Sequence, residues 1–426
     1  MDEGYKPMKL NKVVITGVGA VSPFGNGVPA LVAGIFANRS AITNIGKLWK
    51  ESVTDILCEV GGPITTDLNE KQIPRELRRN MGRVAIMACL SAMEAVNMAG
   101  LEETQLASGD YGVAFASTTG SSKSIVDFTE RFFREKSLSA IKSGQFFQIM
   151  SHTAAANLAN FFNIKGRVLA PNSACSSAAQ SIGLAYEAIK YGLQKGMICG
   201  GAEELHVTTS ATFDLLQAAS CHFNDRPTET PRPFDRDRDG TVCGEGSGAL
   251  ILESEADAKR RGAKILGELV GFVTFSSGEH MSRVTEKELV AGMERFFGET
   301  CISPAEVDYI NAHGTGTIVG DLAESLALEK VFNAVGCGPY VSSLKGHIGH
   351  TLGASAALEL IVCLEMIRKG RLVPTKNLQN IDPHCGKLHY LQEFKDLRPR
   401  LIMKDSFAFG GINSILLLRS YVDEDQ

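Results

Sequence analysis

Short apolar runs alternate along this chain with longer stretches in which apolar residues recur every three or four positions. Val13-Val14-Ile15-Thr16-Gly17, Gly112-Val113-Ala114-Phe115-Ala116 and Gly196-Met197-Ile198-Cys199-Gly200 read as buried strands, each with a glycine at one end. Helical spacing predicts helices over residues 83–99, 182–192 and 358–369. Strand-helix alternation of this kind predicts an α/β protein with a mostly parallel sheet. Residues 224–240 are charged and Pro-rich, which predicts a surface loop. No low-complexity linker divides the chain.

An internal repeat is also visible. Cys175-Ser176-Ser177-Ala178 opens a helix ending at Lys190-Tyr191-Gly192, and His350-Thr351-Leu352-Gly353 opens one ending at Arg368-Lys369-Gly370. Each half then closes on a Gly-rich turn and an apolar strand: Gly244-Glu245-Gly246-Ser247-Gly248 with Ala249 to Leu252, and Phe409-Gly410-Gly411 with Ile412 to Leu417. The same order of parts predicts a duplicated body, residues 1–255 carrying a cysteine elbow and 256–426 carrying two histidine motifs.

Composition narrows the function classes. With 43 Lys plus Arg against 48 Asp plus Glu the net charge is -5, which excludes a general nucleic-acid binder. At 44% apolar and 21% charged residues, 426 positions bury a large core. The start Met1-Asp2-Glu3-Gly4 lacks a basic region followed by an apolar stretch, and residues 356–367 are broken by Glu359 and Glu365. Neither a secretory signal nor a membrane span is expected. The ten cysteines, 58, 89, 175, 199, 221, 243, 301, 337, 363 and 385, are scattered with no C-x-x-C pair, so a reducing cytoplasm fits best. His384, Cys385 and His389 form one short tract without a second half, which is read as a surface loop with no metal. The 43 glycines point to many tight turns and close backbone approaches.

The chemistry starts at Cys175 in Pro171-Asn172-Ser173-Ala174-Cys175-Ser176-Ser177. Small neighbours admit a bulky thioester, and a helix N-terminus favours the thiolate. That context leaves a core thiol and a nucleophile both open. Two histidine motifs shift the balance: Asn311-Ala312-His313-Gly314-Thr315-Gly316-Thr317 and Ser343-Leu344-Lys345-Gly346-His347-Ile348-Gly349-His350. One cysteine and two histidines at strand ends suit a nucleophile with two donors or bases.

These motifs resemble the β-ketoacyl–acyl carrier protein synthases, elongating condensing enzymes. The resemblance also takes in Val14-Ile15-Thr16-Gly17-Val18-Gly19, Arg232-Pro233-Phe234-Asp235, Gly244-Glu245-Gly246-Ser247-Gly248 and Phe407-Ala408-Phe409-Gly410-Gly411, and covers nearly the whole chain. It implies a duplicated thiolase-like fold with five αβαβα layers and mixed sheets. It implies a decarboxylative condensation with Cys175, His313 and His350 as catalytic residues and an oxyanion hole from the Cys175 and Phe409 N–H groups. Lys345 with Glu324 as a buried ion pair, and Glu359, would support the site. Thr315 and Thr317 would bind the pantetheine arm, and Phe407, Ala408, Phe409, Gly410 and Gly411 would form a gate, the two glycines letting backbone approach the substrate. No cofactor is implied beyond phosphopantetheine on an acyl carrier protein, the expected partner, in a homodimer or a heterodimer with a chain-length-factor-like subunit.

Three departures stand out. Gly346 and His347 follow Lys345 where the family has Ser first, Ala408 replaces a gate glycine, and Ile412 replaces a threonine. The last two raise a specialised type II polyketide or polyene ketosynthase as an alternative to a fatty-acid enzyme. A non-catalytic partner subunit and a Cys-His thioester hydrolase are the competing classes. For an acidic carrier, Arg75, Arg78, Arg79 and Arg83, then Arg131, Arg134 and Lys136, then Lys259, Arg260 and Arg261 are the candidate basic clusters.

Overall fold

The computed structural model describes residues 10–423 except 279, 280, 282, 283, 334, 335 and 337. The chain start Met1 to Gly4 and Cys337 lie outside the described residues. Every described cysteine is a free thiol. No described helix is long and apolar enough to cross a membrane.

The first strand, Val13–Ser22, is buried along its whole length. It runs antiparallel to Gly246–Ser254, and the helix Arg83–Ala99 packs across its back. Gly17 and Gly19 make that contact possible. A Cβ at Gly17 would lie 2.1 Å from the Ala95 carbonyl, and one at Gly19 would lie 1.9 Å from the Ser91 carbonyl.

One continuous sheet path runs through His389–Tyr390, Tyr340–Ser342, Tyr309–Asn311, Leu401–Ser406, Ile412–Arg419, Gly267–Ser276, Val13–Ser22, Gly246–Ser254, Gly196–Glu203, Tyr111–Ala116 and Val168–Leu169. Strands from the two ends of the chain meet only at Val13↔Leu269, Val14↔Glu268 and Ile15↔Gly267. The outer pairings are parallel, but those from Leu401–Ser406 to Gly196–Glu203 are antiparallel. This corrects the mostly parallel sheet expected from alternation. Leu401–Ser406 turns back into Ile412–Arg419 through residues 407–411, and a tight turn can join only antiparallel neighbours.

Three apolar layers separate the elements. Arg83–Ala99 covers one outer face, through Met87, Cys89 and Ala92 against Val113, Ile198 and Ile251. The helices Ser177–Lys190 and Ser355–Lys369 fill the middle, where Ile182 and Leu360 share a cluster with Leu250 and Leu416. Glu286–Thr300 and Ile318–Asn333 cover the other outer face, with Met293 and Leu328 against Ile310 and Ile415. The order is helix, sheet, helix, sheet, helix.

Both middle helices begin earlier than their apolar period suggested, because each follows a single tight turn: Ala174–Ser176 before one and Leu352–Ala354 before the other. Ala174 and Leu352 have φ of 47° and 45°, so the two elbows share an uncommon backbone conformation.

Residues 224–240 are a surface loop only in part: Asp225, Arg226, Thr228, Arg236 and Asp237 are exposed. Arg232, Phe234, Asp235 and Arg238 are buried. The Asp235 carboxylate accepts N–H groups of Asp237, Gln379 and Asn380, and Arg238 donates to Asp382 at 2.6 Å and to the Thr317 and Ile318 carbonyls. The charge density that suggested solvent instead ties this segment to the loop after His313. In the 384–389 tract His384 and His389 are exposed, and His384 bonds the Asp382 carboxylate. Cys385 is buried, and His389 sits in an edge strand bonded to the Gly338 carbonyl.

A methyl group at Gly19 tests the strand-helix contact. Overpacking of this kind costs about 1–3 kcal/mol, so Gly19→Ala is expected to lower the urea unfolding free energy by that amount. An unchanged midpoint and slope would show that the helix shifts freely.

Candidate active site

Cys175 sits at the first elbow and is nearly buried. Ser176 anchors that elbow by donating its hydroxyl to the Ser406 and Ile412 carbonyls, at 3.0 and 2.7 Å. The nucleophile elbow is therefore stapled to the hairpin that carries residues 407–411. The Cys175 sulfur lies 3.0 Å from His350 Nε2, and His350 Nδ1 lies 3.0 Å from the Ser355 hydroxyl. The backbone N–H groups of Cys175 and Phe409 lie near enough to the sulfur to lower its pKa against the effect of burial, and Phe409 lines the cavity beside it.

The helix terminus does not make a resting thiolate. Burial pushes the Cys175 thiol up to about 12, while Lys345 pulls the other way and the Glu203 carboxylate adds to the rise. Desolvation outweighs the helix terminus here because the thiol is buried. His350 is held well below its ordinary value by burial and then by Lys345 and Lys404. At neutral pH the pair is a thiol bonded to a neutral imidazole. The sulfur and Nε2 touch directly, closer than the ~3.5 Å expected of two ligands on one tetrahedral zinc.

His313 leaves the strand Tyr309–Asn311 and turns at Gly314 and Gly316, whose φ values are 35° and 86°. Its ring stands nearly perpendicular to that of His350, 5.2 Å between centres, and 6.1 Å from Phe407. Its Nδ1 is buried with no partner. Burial, then Lys345, His350 and Lys404, keep this imidazole neutral as well. Two neutral rings can each present an N–H toward a developing negative charge.

The supporting charges differ from the expected arrangement. Lys345 does not pair directly with Glu324. Its ammonium lies 2.5 Å from Glu359 and donates to the His313 carbonyl at 3.0 Å. Glu324 instead accepts the His313 N–H at 2.7 Å and the Gly314 N–H at 2.8 Å, so both its oxygens already serve backbone. Glu359 is shared: Lys404, fully buried, lies 3.0 Å from its other oxygen. Burial pushes the adjacent Asp405 carboxyl up to about 6, against the pull of Lys404. Lys404 and Asp405 were not among the sequence candidates. The signal was a charged pair inside the otherwise apolar strand Leu401–Ser406. His347 is outside the cluster. It is fully buried, with Nε2 3.2 Å from Asn38 Oδ1, and burial pushes it down to about 3.

A cavity of about 580 Å³ opens in front of Cys175, His313 and His350. Thr315 and Thr317 stand on its wall with their hydroxyls 3.1 Å apart. Phe407 and Phe409 line it as well, and Phe409 packs on Phe213 at 5.7 Å. Gly410 and Gly411 have φ of 86° and 69°. A Cβ at Gly410 would meet only Met281, at 3.9 Å, so left-handed backbone and not close approach calls for glycine there. The Gly410 N–H donates to the Met281 carbonyl at 2.7 Å, and the Gly411 N–H to the Ala408 carbonyl at 3.0 Å.

Several residues of the basic clusters are committed elsewhere. Arg83 makes a two-point contact with Glu245, and Arg261 does the same with Glu253. Arg78 pairs with Glu70, Arg134 with Glu130 and Glu135, Lys259 with Asp423, and Arg260 with Asp257. Arg75, Arg79 and Lys136 are exposed, and Arg131 is half-buried.

Five layers, paired elbows and a buried Cys-His-His centre define a thiolase-type protein. Residues 10–258 match the model for the beta-ketoacyl synthase N-terminal domain and residues 266–379 that for the C-terminal domain, so the chain belongs to the beta-ketoacyl synthase family. The 3-oxoacyl-[acyl-carrier-protein] synthase 1 of Haemophilus influenzae is 32% identical, over 97% of this chain and 100% of its own length. The crystal structure of a beta-ketoacyl synthase from Burkholderia phymatum superimposes with a TM-score of 0.92 at 37% identity, over 97% of this chain and 100% of that one. The ishigamide ketosynthase/chain length factor gives 0.87 at 28% identity, with the same two coverages.

Two measurements check the electrostatics. Alkylation of Cys175 by iodoacetamide, read by intact mass, is expected to accelerate with pH through pH 9 without a plateau. A plateau near pH 7 would mean a resting thiolate. Glu359→Gln leaves two buried ammonium groups without their shared anion, a loss of about 3–5 kcal/mol in unfolding free energy. A loss below 1 kcal/mol would mean that the lysines carry little charge.

Proposed function

We propose that this chain condenses an acyl group with a malonyl unit, both delivered as acyl carrier protein thioesters, to give a 3-oxoacyl thioester. The observation that carries this is a thiol 3.0 Å from one neutral imidazole, with a second beside it and the Cys175 and Phe409 backbone N–H groups nearby, at the end of a cavity. The Cys175 sulfur attacks the acyl thioester and its proton passes through His350 to the departing carrier thiol. The N–H groups of Cys175 and Phe409 hold the oxyanion. A malonyl thioester then enters along Thr315 and Thr317. Its carboxylate leaves as carbon dioxide, and the electron pair of the broken bond forms an enolate whose oxygen takes an N–H bond from His313 and one from His350 in its Nε2–H tautomer, with Nδ1 accepting from the Ser355 hydroxyl. The enolate carbon attacks the acyl-enzyme, the C–S bond to Cys175 breaks, and the departing thiolate takes from solvent water the one proton that the decarboxylation consumes overall.

Neutral imidazoles suit this sequence, because a charged one would be a weaker base for the thiol. A donor placed where charge develops contributes about 10²–10³ in rate. A hydrolase would need a group to activate water, yet both oxygens of Glu324 bond backbone N–H groups. Of the basic candidates, Arg75, Arg79, Arg131 and Lys136 remain as the surface for an acidic carrier. The likeness to a ketosynthase/chain length factor supports a second reading, in which the chain is the active half of a heterodimer in a polyketide pathway.

Cys175→Ala is expected to show no acyl adduct by intact mass after incubation with acyl carrier protein. An adduct on the variant would move the nucleophile elsewhere. His313→Ala is expected to acylate normally but release carbon dioxide from malonyl carrier about 10²–10³ times more slowly. Equal loss of both steps would remove the division of labour between the histidines.

A further inference from the structure

Glu203 ends the strand Gly196–Glu203 at the floor of the site, fully buried, and no step above uses it. Its Oε2 accepts the Thr118 N–H at 2.8 Å and the Gly353 N–H at 3.1 Å, and its Oε1 accepts the Thr119 hydroxyl at 3.2 Å. Each of these contacts donates to the carboxyl group and favours the ionised form, against burial, which raises this carboxyl from its ordinary value.

The donors lie on both sides of the chemistry. Thr118 continues to the first elbow, its hydroxyl donating to the Ala174 carbonyl at 3.3 Å, immediately before Cys175. Asn172 donates to the Thr118 carbonyl at 2.7 Å, closing that side. Gly353 belongs to the second elbow, three residues after His350. A Cβ at Gly353 would stand 2.6 Å from Glu203 Oε2, and one at Gly201 would stand 2.1 Å from the Gly353 carbonyl. The strand end and the second elbow are thus in direct backbone contact, with the carboxylate as the bracket.

We propose that Glu203 is a positioning residue: one buried carboxylate holds the Cys175 elbow and the His350 elbow at hydrogen-bonding distance, and sets a fixed negative charge against the sulfur. The other groups facing the thiol are Lys345, whose charge has the opposite sign, the neutral rings of His313 and His350, and the Cys243 thiol, which burial pushes up to about 12. Glu203 is therefore the anion opposing Lys345 at Cys175. Its charge adds to burial in favouring the thiol form, and its geometry keeps His350 within reach of the proton when a thioester arrives. The effect on acyl transfer rests on Cys175 being the nucleophile; the effect on the free thiol does not.

Glu203→Gln and Thr118→Val, in the full chain, separate the two roles. For Glu203→Gln the pH profile of Cys175 alkylation is expected to move about one unit lower, making alkylation at pH 7 about tenfold faster, while acyl transfer from acyl carrier protein slows at least tenfold. For Thr118→Val, which leaves the charge in place, acyl transfer is expected to slow while the alkylation profile stays fixed. Slower alkylation or an unshifted profile in folded Glu203→Gln overturns the charge role, and unchanged acyl transfer in both variants overturns the positioning role. If Glu203→Gln does not fold, Thr118→Val decides the positioning role by its acyl-transfer rate. Wild-type protein that takes up no acyl group would overturn the proposed function, and the alkylation shift would still judge Glu203.

Discussion

The histidine side of the reactive centre leans on the carboxylate of Glu359, buried between the ammonium groups of Lys345 and Lys404. Two buried cations around one anion would repel without it, and the desolvation of all three is repaid only in this tight geometry. Lys345 then carries the arrangement outward by donating to the His313 carbonyl. Lys404 anchors the strand that turns into residues 407–411. Burial, with the positive charge of Lys345 and Lys404 behind the rings, keeps both imidazoles neutral, and a neutral imidazole can still donate an N–H to an enolate.

The duplicated elbows explain how two distant stretches of chain meet with such accuracy. Ala174 and Leu352 adopt the same uncommon backbone conformation, and each launches a helix into the layer between the sheets. One elbow presents sulfur and the other follows the imidazole by a few residues. Ser176 fastens the first to the gate hairpin and Glu203 fastens it to the second. The antiparallel centre of the sheet belongs to the same design, since the hairpin Leu401–Ser406 and Ile412–Arg419 brings Phe409 back over Cys175.

Much of this was legible in the residues alone. Cys175 among small residues, and His313 and His350 each beside a glycine loop, announced the centre because such spacings serve little else. The partner of Lys345 was not legible: an ammonium and its carboxylate need share no spacing, and Glu324 was the nearer motif while Glu359 was the nearer atom. Lys404, Asp405 and Glu203 lie in strands, where charged residues ordinarily face solvent, so their burial had no sequence signal beyond their oddity in an apolar run. Residues 224–240 misled for the same reason, since Asp235 and Arg238 look like surface charges until their partners 379–382 are brought alongside. The thiolate expected at Cys175 failed because a helix terminus acts within one turn, whereas burial acts from every side.

The condensing chemistry is tested most directly by counting carbon dioxide against product when acyl-loaded enzyme meets malonyl acyl carrier protein. One carbon dioxide released for each 3-oxoacyl carrier formed, with loss of the acyl group from Cys175 in the same turnover, is the predicted result. Loss of the acyl group as free acid without carbon dioxide would contradict it.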